Sequence, residues 1–210
     1  MSRLSNSPRL HKGAIVSIAS NEPTPTVVAF QYNPETMKRT FSPKKATADS
    51  SKEEQQRIDE PPAETITLKA EFDATDGIEV GDPIAVSMGV YPQLSALEIL
   101  MYPPLECVTD NDALITLGNI EIIPPRGPLI LFVWGANRVL PVQLDSLSID
   151  EKAYDERLNP IQAEVDLTLR VLSHSELPMS DAARFISLSH QSIKQAMGLV
   201  GTANSIISFI

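Results

Sequence analysis

The sequence predicts a mainly β protein with minor α content: a barrel or sandwich of antiparallel strands, one short helix and a C-terminal helix. Three observations point there. The 210 residues hold 17 prolines against 9 glycines, the reverse of ordinary usage at about 5% and 7%. Proline removes a backbone donor, so it favours strand edges, turns and extended connections. Second, apolar residues recur with a period of two in segment after segment, in a chain that is 42% hydrophobic and so too apolar to be wholly disordered. Third, no proline follows Pro178, and there the period becomes helical.

Taken in order, Ala14, Val16 and Ile18 alternate and predict a first strand. Residues 21–25 are a turn, and Val28, Phe30 and Tyr32 predict a second strand that Asn33-Pro34-Glu35 breaks. Met37, Arg39 and Phe41 predict a third after a tight corner. Residues 42–64 are polar and charged with Ile58 as their one large apolar side chain, which predicts a flexible or extended arm. Ile66, Leu68, Ala70 and Phe72 restart the alternation, and Asp76-Gly77 reads as a turn. Leu94, Leu97, Ile99, Leu100 and Met101 fit a short amphipathic helix over 92–101, stopped by Pro103-Pro104. Residues 115–123 are strand-like, and the continuous apolar run 129–134 predicts a strand buried on both faces.

Leu140, Val142 and Leu144 share one phase and Leu147 and Ile149 the other, with Pro141 among them. A one-residue phase shift inside a strand predicts a β-bulge. From Ile161 to Val171 six apolar positions alternate, a strand of about 35 Å. Ser180 then opens a helix whose stripe runs through Ala182, Phe185, Ile186, Ser189, Ile193, Ala196 and Met197. The end of the chain carries Ile206, Ile207, Phe209 and Ile210. Such an apolar end folds back on the core or docks on a partner. The predicted organisation is therefore a β domain over 1–173, with the arm at 42–64, and a helix with a docking tail over 174–210.

With 27 acidic and 17 basic side chains the formal charge is −10, which argues against nucleic acid and anionic membrane as partners. The acidity is concentrated. Residues 65–166 carry a net −12, residues 1–41 a net +3 and residues 167–210 a net +1. A solvated acidic surface accounts for this, and so does a chain that meets its neighbours head to tail. The lone Cys107 forms no intramolecular disulfide, and no apolar run reaches the ~18 residues of a membrane span. These features predict a cytosolic protein, or one that leaves the cell by a non-classical route.

Little in the chain announces chemistry. His11, His174 and His190 form neither HExxH nor a zinc pattern with Cys107. His174 and His190 flank the predicted helix and read as surface or cap residues. Asp145, Asp150, Glu151, Asp155 and Glu156 lack the order and central glycine of an EF-hand and read as a solvated turn. No catalytic constellation, cofactor motif or metal site is expected.

Two segments carry a family resemblance. One is VAFQYNPETMKR over 28–39; the other runs from the LFVWG strand end at 131–135 through RVLPVQLDSLSIDEKAYDERLNPIQAEVDLTLRVLS to residue 173. TLKAEFDATDG over 67–77 adds a third piece. Together they resemble the tube-like N-terminal domain of baseplate adaptor proteins in phage-tail-like contractile injection systems. The matching positions are Asn33, Pro34 and Glu35, Trp134 and Gly135, and Asn159 and Pro160. The resemblance implies a non-enzymatic structural protein between inner tube and spike, a hexameric ring whose sheets join edge to edge, with other baseplate proteins as further partners. It implies a place in injection particles assembled in the cytoplasm, with lysis as a route of release. Many members carry a C-terminal LysM domain; residues 174–210 read instead as a helix and apolar end, so none is expected here. The competing readings are a monomeric ligand-binding β-barrel, which needs an apolar pocket and no self-association, and an enzyme without recognisable motifs.

Overall fold

A computed structural model describes residues 11–18, 25–43, 60–103, 109, 127–179 and 181–209, with side chains up to residue 202. Among the described residues, seven strands form one antiparallel sheet: β1 (Ala14–Ile18), β2 (Thr26–Ala29), β3 (Met37–Ser42), β4 (Ala63–Asp73), β5 (Leu129–Val133), β6 (Val139–Tyr154) and β7 (Pro160–Val171). Their order is β2-β1-β5-β6-β7-β4-β3. The protein is thus mainly β, as its alternation predicts.

The centre of the sheet follows directly from period two. Leu68 lies opposite Leu167, Ile66 opposite Leu169 and Ala70 opposite Val165, and all six are buried. Thr67, Lys69 and Glu71 face the other way and are exposed. The phase flip in β6 is a bulge: pairing with β7 runs from Leu144↔Leu169 to Ser146↔Thr168, leaving Asp145 unpaired, so Leu147 rejoins the core face. In β5, Ile130, Leu131 and Phe132 are all buried, as a two-sided apolar run requires.

The sheet rolls. Strands β2 and β3 lie at opposite edges, yet only residues 30–36 connect them. In a flat sheet those edges would stand about 29 Å apart, close to the limit of a fully stretched connection of this length. The Gln31 side chain instead reaches β4. Its Nε2 donates to the Asp73 carbonyl at 2.6 Å, and its Oε1 accepts from the Asp73 amide at 2.8 Å. Across the same seam Arg138 donates to Met37 Sδ at 3.9 Å. The single sheet therefore curls into a barrel-like form, its concave face holding the core, and is no two-sheet sandwich.

Three expectations are corrected. In β1 the core face carries Ile15 and Ser17, while Ile18 is exposed; Ile15 pairs with both Val28 and Phe132, and apolar residues on both faces hid the phase. Asp76-Gly77 is not a turn but part of a helix, and three short helices stand where one was expected: α1 (Thr75–Glu79), α2 (Pro83–Met88) and α3 (Tyr91–Glu98), the last running into a 3₁₀ turn to Met101. Helices of five and six residues make too few turns to print a period. Finally, the 42–64 arm is shorter than its composition suggests, because Ser42 ends β3 and Ala63 begins β4. Its middle, 44–59, lies outside the described residues, as do the strand-like 115–123 and Cys107.

Helices α1–α3 close one end of the barrel. Val90, Leu94, Leu97 and Leu100 join the sheet core. Asp82 caps α2, its carboxylate accepting from the Ile84 amide, and Pro83 occupies the first turn, where a missing donor costs nothing. The C-terminal helix, α4 (Ala182–Phe209), begins at the other end. Its start is capped by Asp181, whose Oδ1 accepts from the Ala183 amide at 3.0 Å; Ser180 lies outside the described residues. Among the described residues no helix is long and apolar enough to cross a membrane.

Candidate functional site: backbone clasps and a helix-covered cleft

The motif residues of the resemblance fall into two groups, one at the β5–β6 turn and one at the β6–β7 turn at the other end of β6, and both hold backbone together. Asn33 grips the segment entering β1 in both directions: Oδ1 accepts from the Gly13 amide and Nδ2 donates to the His11 carbonyl, each at 2.9 Å. Pro34 is half-buried and Glu35 is exposed beside it. Trp134 packs on the same Gly13. A Cβ at Gly13 would stand 2.6 Å from the Trp134 ring and 2.8 Å from Phe30. The indole stacks on Phe132 at 5.8 Å and tilts against Phe30 at 6.4 Å. Gly135, at φ +74, lets the chain turn back so that the Trp134 amide donates to the Arg138 carbonyl at 2.7 Å.

Asn159 and Pro160 dock the helical cap. Asn159 Nδ2 donates to the Ser87 carbonyl at 3.1 Å and to Asp155 Oδ2 at 2.9 Å. The Pro160 carbonyl accepts from the Val90 amide at 2.9 Å. The Asp155 carboxylate also accepts from the Asn159 and Arg157 amides at 2.8 and 2.7 Å. These bonds, led by the Asn159 side chain, hold its carboxyl below the usual carboxylate range. Asp73 joins the two groups of clasps. It is bonded to Gln31 on one side and through Oδ2 to Gln162 Nε2 at 2.7 Å on the other. Partial burial pushes its carboxyl up, but bonds from Thr75 and Gln162 more than offset this and leave it lowered.

Asn33→Ala removes two hydrogen bonds between the β2–β3 connection and the segment entering β1. The expected loss is about 1–2 kcal/mol, or roughly 3–6 °C in Tm for a chain of this size, read by chemical and thermal denaturation. Asn33→Asp keeps the acceptor for Gly13 and loses the donor to His11, so its loss should fall between.

A cleft of about 440 Å³ lies between α4 and the β3–β4 edge, floored by Leu140 and Val171. Within it Glu64 is buried and accepts from Arg39 Nε at 2.8 Å and from Lys194 Nζ at 2.7 Å. Both cations lie over the Phe41 ring, at 5.0 and 5.4 Å from its centre. Burial pushes the Glu64 carboxyl up, but hydrogen bonds and charge from Lys194 and Arg39 prevail and lower it. His190 is 8% exposed, and neither ring nitrogen has a partner among the described residues. It is neither a surface residue nor a cap, as its place at a helix end suggested, because α4 runs on past it. Burial, then the nearby Lys194, pushes its imidazole below the ordinary value.

Sequence reasoning missed Gly13, Gln31, Glu64 and the buried role of His190. One signal was present: Glu64 shares the phase of Ile66, Leu68, Ala70 and Phe72, so it was already on the buried face. Ile206, Ile207 and Phe209 belong to α4, but their side chains and Ile210 lie outside the described residues. Among the described residues no three His, Cys, Asp or Glu side chains come together as a metal site. No family model matches the chain, and no curated protein matches it.

Proposed function

We propose that this chain is a ring-forming structural adaptor of a contractile injection system, joining the inner tube to the spike in particles assembled in the cytoplasm. One observation carries the reading beside the motif resemblance: a rolled antiparallel sheet whose two edge strands, among the described residues, each pair on one side only. These are β2 and β3, and an open edge is a liability in a chain that stays single. In a ring each edge finds the neighbour's. The motif residues support it indirectly, since they fix the curvature and seam that decide how two edges meet.

The test is co-expression with candidate tube and spike proteins, followed by native mass spectrometry and electron microscopy. A closed ring, with six copies expected, that co-purifies with tube or spike is the predicted result. A chain that stays monomeric with both partners, and never enters a particle, overturns the reading. A second reading, a monomeric ligand-binding barrel, draws on the 440 Å³ cleft, whose size suits a small ligand. It predicts saturable binding of an apolar probe that is lost on Leu140→Glu, with no change in mass.

A further inference from the structure

We propose that residues 1–10 of this chain dock on its own helical cap, α1–α3, with Arg3, Leu4, Arg9 and Leu10 as the contacts. The contact is a property of the single chain and does not rest on the injection-particle reading.

The cap supplies the first argument. A hollow of about 300 Å³ is lined by Lys12, by the buried Phe72 and Ala85, and by Asp73, Asp82 and Ile84. Ile84 is 58% exposed, and Val80 and Met88 are exposed with it. Ile84 and Met88 stand four apart on α2 and so share one face. Apolar side chains gathered beside a hollow mark a contact surface.

The charge of that surface says what kind of occupant it takes. Residues 73–102 carry Asp73, Asp76, Glu79, Asp82 and Glu98 and no basic residue. Among the described residues no cation forms an ion pair with any of the five. Uncompensated carboxylates of one sign, set among exposed apolar groups, favour a segment that is both basic and apolar.

The chain contains such a segment. Residues 1–12 carry Arg3, Arg9 and Lys12 and no acidic residue, and the pair Arg-Leu occurs twice, at 3–4 and at 9–10. Each pair puts a cation next to an apolar side chain, as the cap puts Glu79 next to Val80 and Asp82 near Ile84. The apolar C-terminal end offers no such match, since residues 195–210 carry no charged side chain.

The place where this segment joins the structure agrees with its charge. Residues 1–10 lie outside the described residues. The next two are fixed beside the cap: the His11 carbonyl accepts from Asn33 Nδ2 at 2.9 Å, and Lys12 lines the hollow itself. Leu10 is two positions from Lys12, and so within about 7 Å. Ten residues extend to about 33 Å, whereas the six of α2 span about 9 Å, so Arg3 can reach across the cap. A short tether gives such a segment an effective concentration in the mM range, which favours the cap of its own chain over that of another copy.

A nitroxide at position 5 of the full chain tests this, attached through Ser5→Cys with Cys107→Ser. In NMR spectra the amide signals of residues 77–88 should lose intensity relative to the same protein with the nitroxide reduced. Salt at about 1 M, which screens charges beyond ~3 Å, should restore them. So should Arg3→Glu/Arg9→Glu, and so should Asp76→Lys/Glu79→Lys. All four changes together should bring the loss back, because the charge match is rebuilt with its signs exchanged. Trypsin gives a reading without the label: cleavage after Arg9 should be at least about fivefold faster in Asp76→Lys/Glu79→Lys than in the parent. Full signal intensity in the parent, or equal cleavage rates, overturns the proposal. A combined variant that does not regain the loss overturns the charge match. Loss seen when a nitroxide-bearing chain is mixed with an isotope-labelled chain lacking the nitroxide overturns it too, since that would mean docking on a second copy.

Discussion

Gly89→Ala is expected to cost about 4 kcal/mol, the largest effect of any single methyl group in this fold. Gly89 ends α2 at φ +59, ψ −132, a backbone region that only glycine occupies easily. A Cβ there would lie 2.1 Å from the Pro160 carbonyl oxygen, and backbone cannot swing aside as a flexible side chain can. That same carbonyl accepts from the Val90 amide, and Val90, Leu94 and Leu97 follow into the core. The conformational cost is about 1–2 kcal/mol. The lost hydrogen bond adds about 1, and displacement of well-packed core residues adds about 1–3. Gly81→Ala is the control. Gly81 has φ +75 with nothing within 4 Å of the added carbon, so only the conformational part should appear. Urea denaturation of both variants separates the two effects. If Gly89→Ala comes within about 1 kcal/mol of Gly81→Ala, the cap moves without penalty and is not held at Pro160.

That comparison shows where sequence stops being legible. The long strands β4 and β7 were readable because half-buried antiparallel strands must alternate, and so was the β6 bulge, because the phase slips at Asp145. The five residues of β1 are apolar on both faces, so their inward phase depended on Val28 and Phe132. The cap helices are too short to show periodicity. The closure of the sheet rests on Gln31 meeting Asp73, 42 positions away, a contact no local pattern encodes. The motif residues were visible as a pattern, but their work was not. Asn33 and Trp134, 101 positions apart, both converge on Gly13, which drew no attention because its importance lies in the side chain it lacks. The residues of the motifs thus hold backbone: Asn33 and Trp134 at Gly13, and Asn159 at Ser87.

Acid should weaken this protein in two steps, the first originating where α4 meets the sheet and the second led from there. The first comes from His190. Its imidazole is pushed below the ordinary 6.5 by burial and by Lys194, with Arg39 and Arg138 adding to the effect and Glu64 opposing it. The unfolded chain takes up a proton as pH falls through 6.5 while the folded chain resists, so stability is full above that value and declines below it. The second step comes from Glu64, whose carboxyl lies below its ordinary 4.5 because Lys194 and Arg39 outweigh its burial. Its contribution is present above 4.5 and is lost as pH falls through the folded value. His190→Leu should remove the first step. At pH 7 it should be neutral or mildly stabilising, since it replaces two unpartnered buried nitrogens. At pH 5 it should clearly exceed the parent. Glu64→Gln should shrink the second step to what the lowered Asp73 and Asp155 carboxyls contribute, and cost about 2–3 kcal/mol at pH 7. That is less than the 3–5 typical of breaking a fully buried pair, because Lys194 is 41% exposed and can turn to water. Hydrogen exchange should place the first acid loss in residues 182–194. Parallel stability profiles for the parent and His190→Leu between pH 7.5 and 5 would exclude His190 as its source, and with it the idea that α4 is the first element to leave the sheet.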